Sequence, residues 1–278
     1  MVSPSDWAKI LGQKTQNEVA EPSPDGKGLI NYEDGYIDAV GTGTAPKKYY
    51  GKSQARIIAL RAGQADAYRN LLEIVKDVQI DSQTTLKDFL TDSNATNTLV
   101  SRLVKGAKVI QQTYLTDGTA EVIVRMALGA SFNKIILTKV MADDKKEDTA
   151  LPSMVLAKPA MDQDEIYIGL IVDACELAEA KPALSPKILD ENGKEVYGTL
   201  VANKDDAIRQ GISGYAKNIE VAQTNPRVTD RPLIIKGSRT EGTANSDIVI
   251  SNENANRLRT IKENLTFMQK CRVMIILH

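Results

Sequence analysis

The chain of 278 residues carries 35 basic and 36 acidic residues and a single histidine, with 42% hydrophobic and 26% charged residues and a formal net charge of −1. These are globular proportions, with length for one large or two ordinary domains. The charge balance excludes a whole-chain footprint for nucleic acid or an anionic membrane and leaves room only for a local basic patch; no apolar run approaches the ~20 residues of a membrane helix.

In chain order, residues 1–30 are polar and rich in Pro and Gly apart from WAKIL, and read as an extended arm whose short helix sets Trp7, Ile10 and Leu11 on one docking face. The N-terminus lacks the charged start, apolar core and small-residue cleavage site of a secretory signal, so either the protein stays inside or a signal was removed. YIDAVGTGTAP is a strand whose Gly41–Thr44 end suits a bulge or a close backbone approach. SQARIIALRAGQADAYRNLLEIVKDVQI, Ser53 to Ile80, follows as a helix with Ser53 as N-cap. Its Ile57, Leu60, Ala67, Leu71, Ile74 and Val78 form a bulky stripe expected to cover the sheet. Ala55, Ala59 and Ala62 form a small stripe, expected as an interface where another backbone approaches.

A second helix is expected around NATNTLVSRLVKGA, then the strands KVIQQTYL and TAEVIVRMAL joined through Asp117-Gly118, a hairpin signal. SFNKIILTKV reads equally as strand or helix. The domain boundaries expected are 1–30 for the arm, 31–141 for an α+β domain, 142–163 for a linker containing Pro152, and 164–278 for a C-terminal α/β domain. In the last of these, EIYIGLIVDA is a strand and SPKILDENGKEVYG a hairpin turning at Asn192-Gly193; KDDAIRQGISGYA reads as a helix weakened by two glycines, and RPLIIKGSRT as a strand. The end of the chain reads as strand, helix and strand, with Ser251 or Asn252 as cap and Leu258, Ile261, Leu265 and Met268 on one stripe. That pattern predicts parallel strands with a right-handed crossover. The fold class is α+β: an N-terminal strand-helix-helix-hairpin domain and a C-terminal α/β domain ending in the strand-helix-strand unit.

Catalysis by a Ser/His or Cys/His pair needs an oriented imidazole, and the only histidine is the terminal His278. A phosphate loop at Gly51-Lys52-Ser53 fails because its first glycine position is Pro46, which has no N–H. Asp190 and Glu191 read as solvated turn acids, and Asp173 and Asp247 support only a weaker hydrolase reading. No catalytic, cofactor-binding or metal-binding residue is therefore assigned, and no cofactor is expected. Cys175 and Cys271 are too few for a disulfide scaffold and read as small buried apolar residues. In an oxidising compartment a Cys175–Cys271 bond is geometrically open, if their two strands are neighbours.

GYIDAVGTGTAP, then ARIIALRAGQADAYRNLLEIVKDVQI, a second helix, LVKGAKVI and TAEVIVRMAL resemble the bacterial LPP-twenty lipoprotein family, the FlgP-like envelope proteins, over about residues 35–130. The resemblance implies a compact strand-helix domain, exported to the periplasm, outer membrane or cell surface, that self-assembles into rings or filaments, in some cases around the flagellum, and does no chemistry. It supplies no catalytic residue, and the sequence shows no lipidated cysteine near its start. The partners expected are further copies and other envelope or flagellar components, without nucleic acid and without a transmembrane segment. The alternative is a periplasmic binding module for a peptide, glycan or small ligand at the ends of the C-terminal parallel strands.

Overall fold

The structure, a computed structural model, describes residues 6–147, 167–228, 231–260 and 262–278. The chain divides into two compact units, one of residues up to Val78 with Leu86–Leu128, the other of Gln79–Thr85 with Gly129–His278. Each unit has its own sheet with helices against it, so the fold is α+β.

In the first unit α1 (Asp6–Asn17) leads through β1 (Ala20–Pro22), β2 (Gly28–Asn31) and β3 (Tyr36–Thr44) into the long α2 (Gln54–Lys76). After α3 (Leu86–Thr91) and α4 (Asn94–Lys105), the hairpin of β4 (Lys108–Tyr114) and β5 (Thr119–Ala127) completes an antiparallel sheet of order β1-β2-β3-β5-β4. The hairpin turns at Gly118, whose φ of 86° suits the expected Asp-Gly turn, and Ser93 caps α4 by accepting the Thr96 N–H. Alternate side chains leave a strand on opposite faces. Leu29, Val40 and Ile123 point to one face and bury Trp7 of α1, with Ile10 and Leu11 packed beside it, while α2 covers the other face. The Trp7 indole N–H donates to the Gly26 carbonyl at 2.7 Å. From Asp6 onward the expected arm is thus an integral layer of its own unit, because the Trp7 indole finds enough apolar sheet in the same chain to leave water, with Ile10 and Leu11 half-buried beside it.

The second unit begins with α5 (Ala130–Glu147), the segment that the sequence left open between strand and helix. Both α5 and residues 79–85 fall on the far side of the expected boundary at 141, and the rest of the expected linker, from 148, lies outside the described residues. Then follow β6 (Gly169–Asp173), the hairpin β7 (Ile188–Leu189) and β8 (Glu195–Tyr197), α6 (Lys204–Gln210), β9 (Gly214–Ala216) and α7 (Ile219–Thr224). The unit ends with β10 (Pro232–Glu241), β11 (Asp247–Ile250), α8 (Asn252–Thr260), α9 (Lys262–Gln269) and β12 (Val273–Ile276). KDDAIRQGISGYA is not one helix: α6 stops at Gly211, in the left-handed region at φ 83°, and Gly214–Ala216 forms a strand.

The second sheet has the order β8-β7-β11-β10-β6-β12-β9, and β10, β6, β12 and β9 run parallel. β11 is antiparallel to β10, so β11 and β12 run in opposite directions and the expected parallel crossover is corrected. The reason lies upstream. β10 and β11 are joined by a tight turn through Gly242 (φ 81°) and Asn245 (φ 54°), which makes them a hairpin, while β12 enters the parallel set beside β6. Both strands are buried throughout, as expected of this sheet. Ser251 caps α8, its hydroxyl accepting the Asn254 N–H at 3.3 Å.

Candidate functional site

The α2–β3 seam accounts for the alanine stripe. Ala55, Ala59, Gly63 and Ala67 are buried in one row on α2, and the last three of them meet Gly41 and Gly43 of β3. A Cβ at Gly41 would stand 2.0 Å from the Ala67 N, and one at Gly43 2.2 Å from the Gly63 N. Helix and strand backbones therefore touch, which only small residues on both sides permit. Ala59 is accordingly spent on its own strand and Ala55 is buried in the same row, so neither is an open interface; Ala62 alone of the expected stripe is exposed. Of the bulky stripe, Ala67, Leu71, Ile74 and Val78 are buried as expected and Leu60 is half-buried; Ile57 alone is corrected, at 55% exposure. Trp7, Ile10 and Leu11, also expected at an interface, are covered by their own sheet.

The polar residues of DAYRN fill gaps in the same seam. β2 ends where β3 continues, which leaves the Val40 carbonyl and the Thr42 N–H without a strand partner. Asn70 Nδ2 donates to Val40 O at 2.8 Å and Asp66 Oδ2 accepts from Thr42 N at 3.0 Å. Tyr68 donates its hydroxyl to Ala107 O at 2.8 Å, and Arg69 pairs with Asp66. Buried backbone groups must be satisfied, so these side chains extend the sheet's hydrogen bonding from the helix. Ser53 makes no side-chain cap and sits in helical geometry; α2 starts instead through successive turns at Lys52 and Ala55.

Charged chemistry in the second unit centres on Lys187. Burial disfavours its cation, but Asp144, Glu195, Asp247 and Asp81 surround it and hold its pKa above the ordinary value. Burial raises the carboxyls of Asp247 and Glu195. Each acid is engaged: Asp247 accepts the Lys187 N–H at 2.9 Å, Glu195 accepts the Leu200 N–H at 3.3 Å, Asp81 accepts the Gln83 and Thr84 N–H groups at 2.8 Å, and Asp144 accepts the Thr199 hydroxyl. This is a hydrogen-bonded junction of β7, β8, β11, α5 and the 79–85 segment, with four acids around one lysine. Asp173 and Asp247 do not converge on a common reaction centre: they pair with Lys236 and Glu241, on opposite sides of β10 and about 17 Å apart along it. Asp190 is not a solvated turn acid. It is buried, accepting from Asn192 N, Lys194 N and, at 2.7 Å, Arg259; burial would raise its pKa, but these bonds hold it below the ordinary value. Glu191 accepts the Asn252 N–H, and His278 is exposed at the chain end. Among the described residues no group of three His, Cys, Asp or Glu side chains could hold a metal ion, and no helix is long and apolar enough to cross a membrane.

Cys175 follows β6 and Cys271 precedes β12. These strands are neighbours but parallel, with Leu170 opposite Val273, so the two thiols lie at opposite ends, about 23 Å apart by strand rise. A disulfide needs Cα atoms within about 7 Å, and the expected pairing is corrected: both cysteines are free. Burial pushes each thiol up to about 11, so almost no thiolate exists at neutral pH. Protein kept without reductant is expected to retain both thiols and to run identically on reducing and non-reducing gels. Alkylation by iodoacetamide is expected only after unfolding; fast labelling of the native chain contradicts the placement.

Exposed large hydrophobic side chains occur in both units, Val221 and Ile234 in the second, and in the first unit two of them lie on a sheet edge. β4 closes the first sheet as an edge strand of seven residues, whereas the other edges, β1, β8 and β9, have three each. Exposed and half-buried positions alternate along β4, with Ile110, at a register shift between Val109 and Gln111, 46% exposed and Tyr114 37% exposed. The Arg56 guanidinium stands 5.6 Å from the Tyr114 ring centroid, which sets the first turn of α2 beside the end of β4.

Comparison with curated proteins finds no match. Residues 169–278, which span the second sheet from β6 to β12, match a family model described as Treponema pallidum Tp0624, second domain. That match makes the second unit similar to the Treponema domain and covers less than half of the chain.

Proposed function

We propose that this chain is a non-enzymatic, self-assembling structural protein of the bacterial cell envelope, at the periplasm, outer membrane or cell surface, and that its copies meet along β4. One observation carries the reading: the longest sheet edge among the described residues presents Ile110 and Tyr114 to solvent. An edge strand with exposed apolar side chains is a template for pairing with another chain, and natural proteins usually blunt it. The short β1 ends in Pro22, which cannot donate to a neighbour; β4 contains no proline. The resemblance of residues 35–130 to the LPP-twenty family supports the envelope setting and association with flagellar components. Engagement of every acid around Lys187 by groups of its own unit supports a structural role for that junction rather than a catalytic one.

Electron microscopy of the purified full chain is expected to show rings or filaments. Ile110→Lys places a charge on the edge at a half-exposed position, with a fold cost of no more than about 0.5 kcal/mol, and is expected to leave single particles. Single particles of the unmodified chain would leave the alternative, a binding module with its ligand at the C-terminal ends of β6, β10, β12 and β9.

A further inference from the structure

Between Asp38 and Asp66 the chain holds Lys47, Lys48, Lys52, Arg56 and Arg61 and not one acidic residue, in a protein whose charges nearly cancel as a whole. All five cations are exposed, and none forms an ion pair with a described residue. Lys47 and Lys48 lie in a single 3-10 turn, Lys47–Tyr49, Lys52 in the link to α2, and Arg56 and Arg61 on the start of α2. Aromatic rings are interleaved: the Lys48 and Lys52 ammonium groups lie 5.1 and 5.8 Å from the Tyr49 ring centroid. Among the described residues, Tyr50 at 64% and Ile57 at 55% are the most exposed large hydrophobic side chains. Both belong to this segment.

We propose that Lys47 to Ile57 is a docking site for an anionic phospholipid surface. Juxtaposed cations are drawn to the negative potential of anionic headgroups, which decays within a Debye length. A tyrosine suits the headgroup level, where its ring is half wet, and an aliphatic side chain gains by entering the acyl boundary. The segment offers both kinds of group in one stretch of chain, Tyr50 ahead of α2 and Ile57 in its first turn. Charge complementarity alone also fits a nucleic acid backbone. The apolar pair decides between them, because an exposed isoleucine gains nothing from phosphates, and a three-residue turn is too short to track a strand. The proposal does not depend on self-assembly, since a monomer carries the complete segment.

The test is co-sedimentation of the full chain with vesicles of equal parts phosphatidylcholine and phosphatidylglycerol, with pure phosphatidylcholine vesicles, and competition by a single-stranded oligonucleotide. Pelleting is expected with the anionic vesicles only, and it weakens as salt is raised. The triple variant Lys47→Gln, Lys48→Gln and Lys52→Gln is expected to lower partitioning roughly 100-fold, at about fivefold per cation. Tyr50→Ser with Ile57→Ser is expected to remove the binding that persists at high salt. All five positions are exposed or at a turn, so an unchanged circular dichroism spectrum checks the fold. Absence of pelleting, pelleting indifferent to lipid charge or to the triple variant, or tighter binding of the oligonucleotide that the triple variant abolishes would each overturn the lipid assignment.

Discussion

Gly41→Ala is expected to unfold the first unit or to destabilise it by about 3 kcal/mol or more, at the upper end of what overpacking costs. The added methyl group meets backbone rather than a side chain that could turn away: Ala67 N at 2.0 Å and Gly63 O at 2.4 Å. Relief requires the sheet and α2 to separate, which opens the buried run from Ala55 to Val75. Ala59→Arg is expected to act the same way, from the other side of the seam. Trp7, the only tryptophan, is buried in this unit on the opposite face of the sheet, so its fluorescence during denaturant titration reports the effect. Gly12→Ala is the control. Its Cβ meets nothing within 4 Å, and it lies inside α1, where alanine is favoured over glycine by about 1 kcal/mol. A Gly41→Ala midpoint equal to that of the unmodified chain contradicts the close seam.

Arg259→Ala is expected to destabilise the second unit by about 3 kcal/mol, because it leaves the buried Asp190 carboxylate without its cation. The loss should depend on pH in a definite direction. Asp190 has a lowered pKa in the fold, so its contribution is complete above the unfolded value of about 3.9 and fades as pH falls through the lower folded value. The difference between the unmodified chain and Arg259→Ala is therefore expected to be large at neutral pH, to hold down to about pH 4, and to narrow only as pH falls further through the lower folded value, beneath which the carboxyl is protonated in both. Hydrogen exchange at neutral pH should rise in the β7–β8 turn and in α8, which this pair joins. An equal difference at both pH values means that lost packing of the Arg259 stem, rather than the ion pair, carries the effect.

The elements that depend on local chemistry were legible in the sequence. Asp117-Gly118 specified its hairpin, Asn192-Gly193 another, and the long apolar pattern from Ser53 specified α2, since each is set by neighbours along the chain. What the sequence concealed depends on which surface arrives opposite. The alanines of α2 announce that some backbone comes close, but not that it is Gly41 and Gly43 of the preceding strand. The polar Asp66 and Asn70 make sense only once β2 is seen to stop short of β3. Strand direction was hidden as well. A tight turn at Gly242–Asn245 reverses β11, and the parallel run of β6 and β12 separates Cys175 from Cys271. Of the candidate site, the basic Lys47–Arg56 segment could have been found by noting the missing acids between Asp38 and Asp66. The outward aim of Ile110 could not, because Val109 and Ile110 are adjacent apolar residues and the sequence does not say which of the two alternating faces is the covered one.

The central claim is that copies of the chain associate through the β4 edge, and sedimentation velocity of the full chain over a range of rising concentration tests it most directly. The account predicts a sedimentation coefficient that climbs well beyond that of a 30.3 kDa monomer, and an Ile110→Lys variant that stays monomeric at every concentration. A single monomeric boundary for the unmodified chain at the highest concentration, or an Ile110→Lys variant that assembles as fully as its parent, would contradict it.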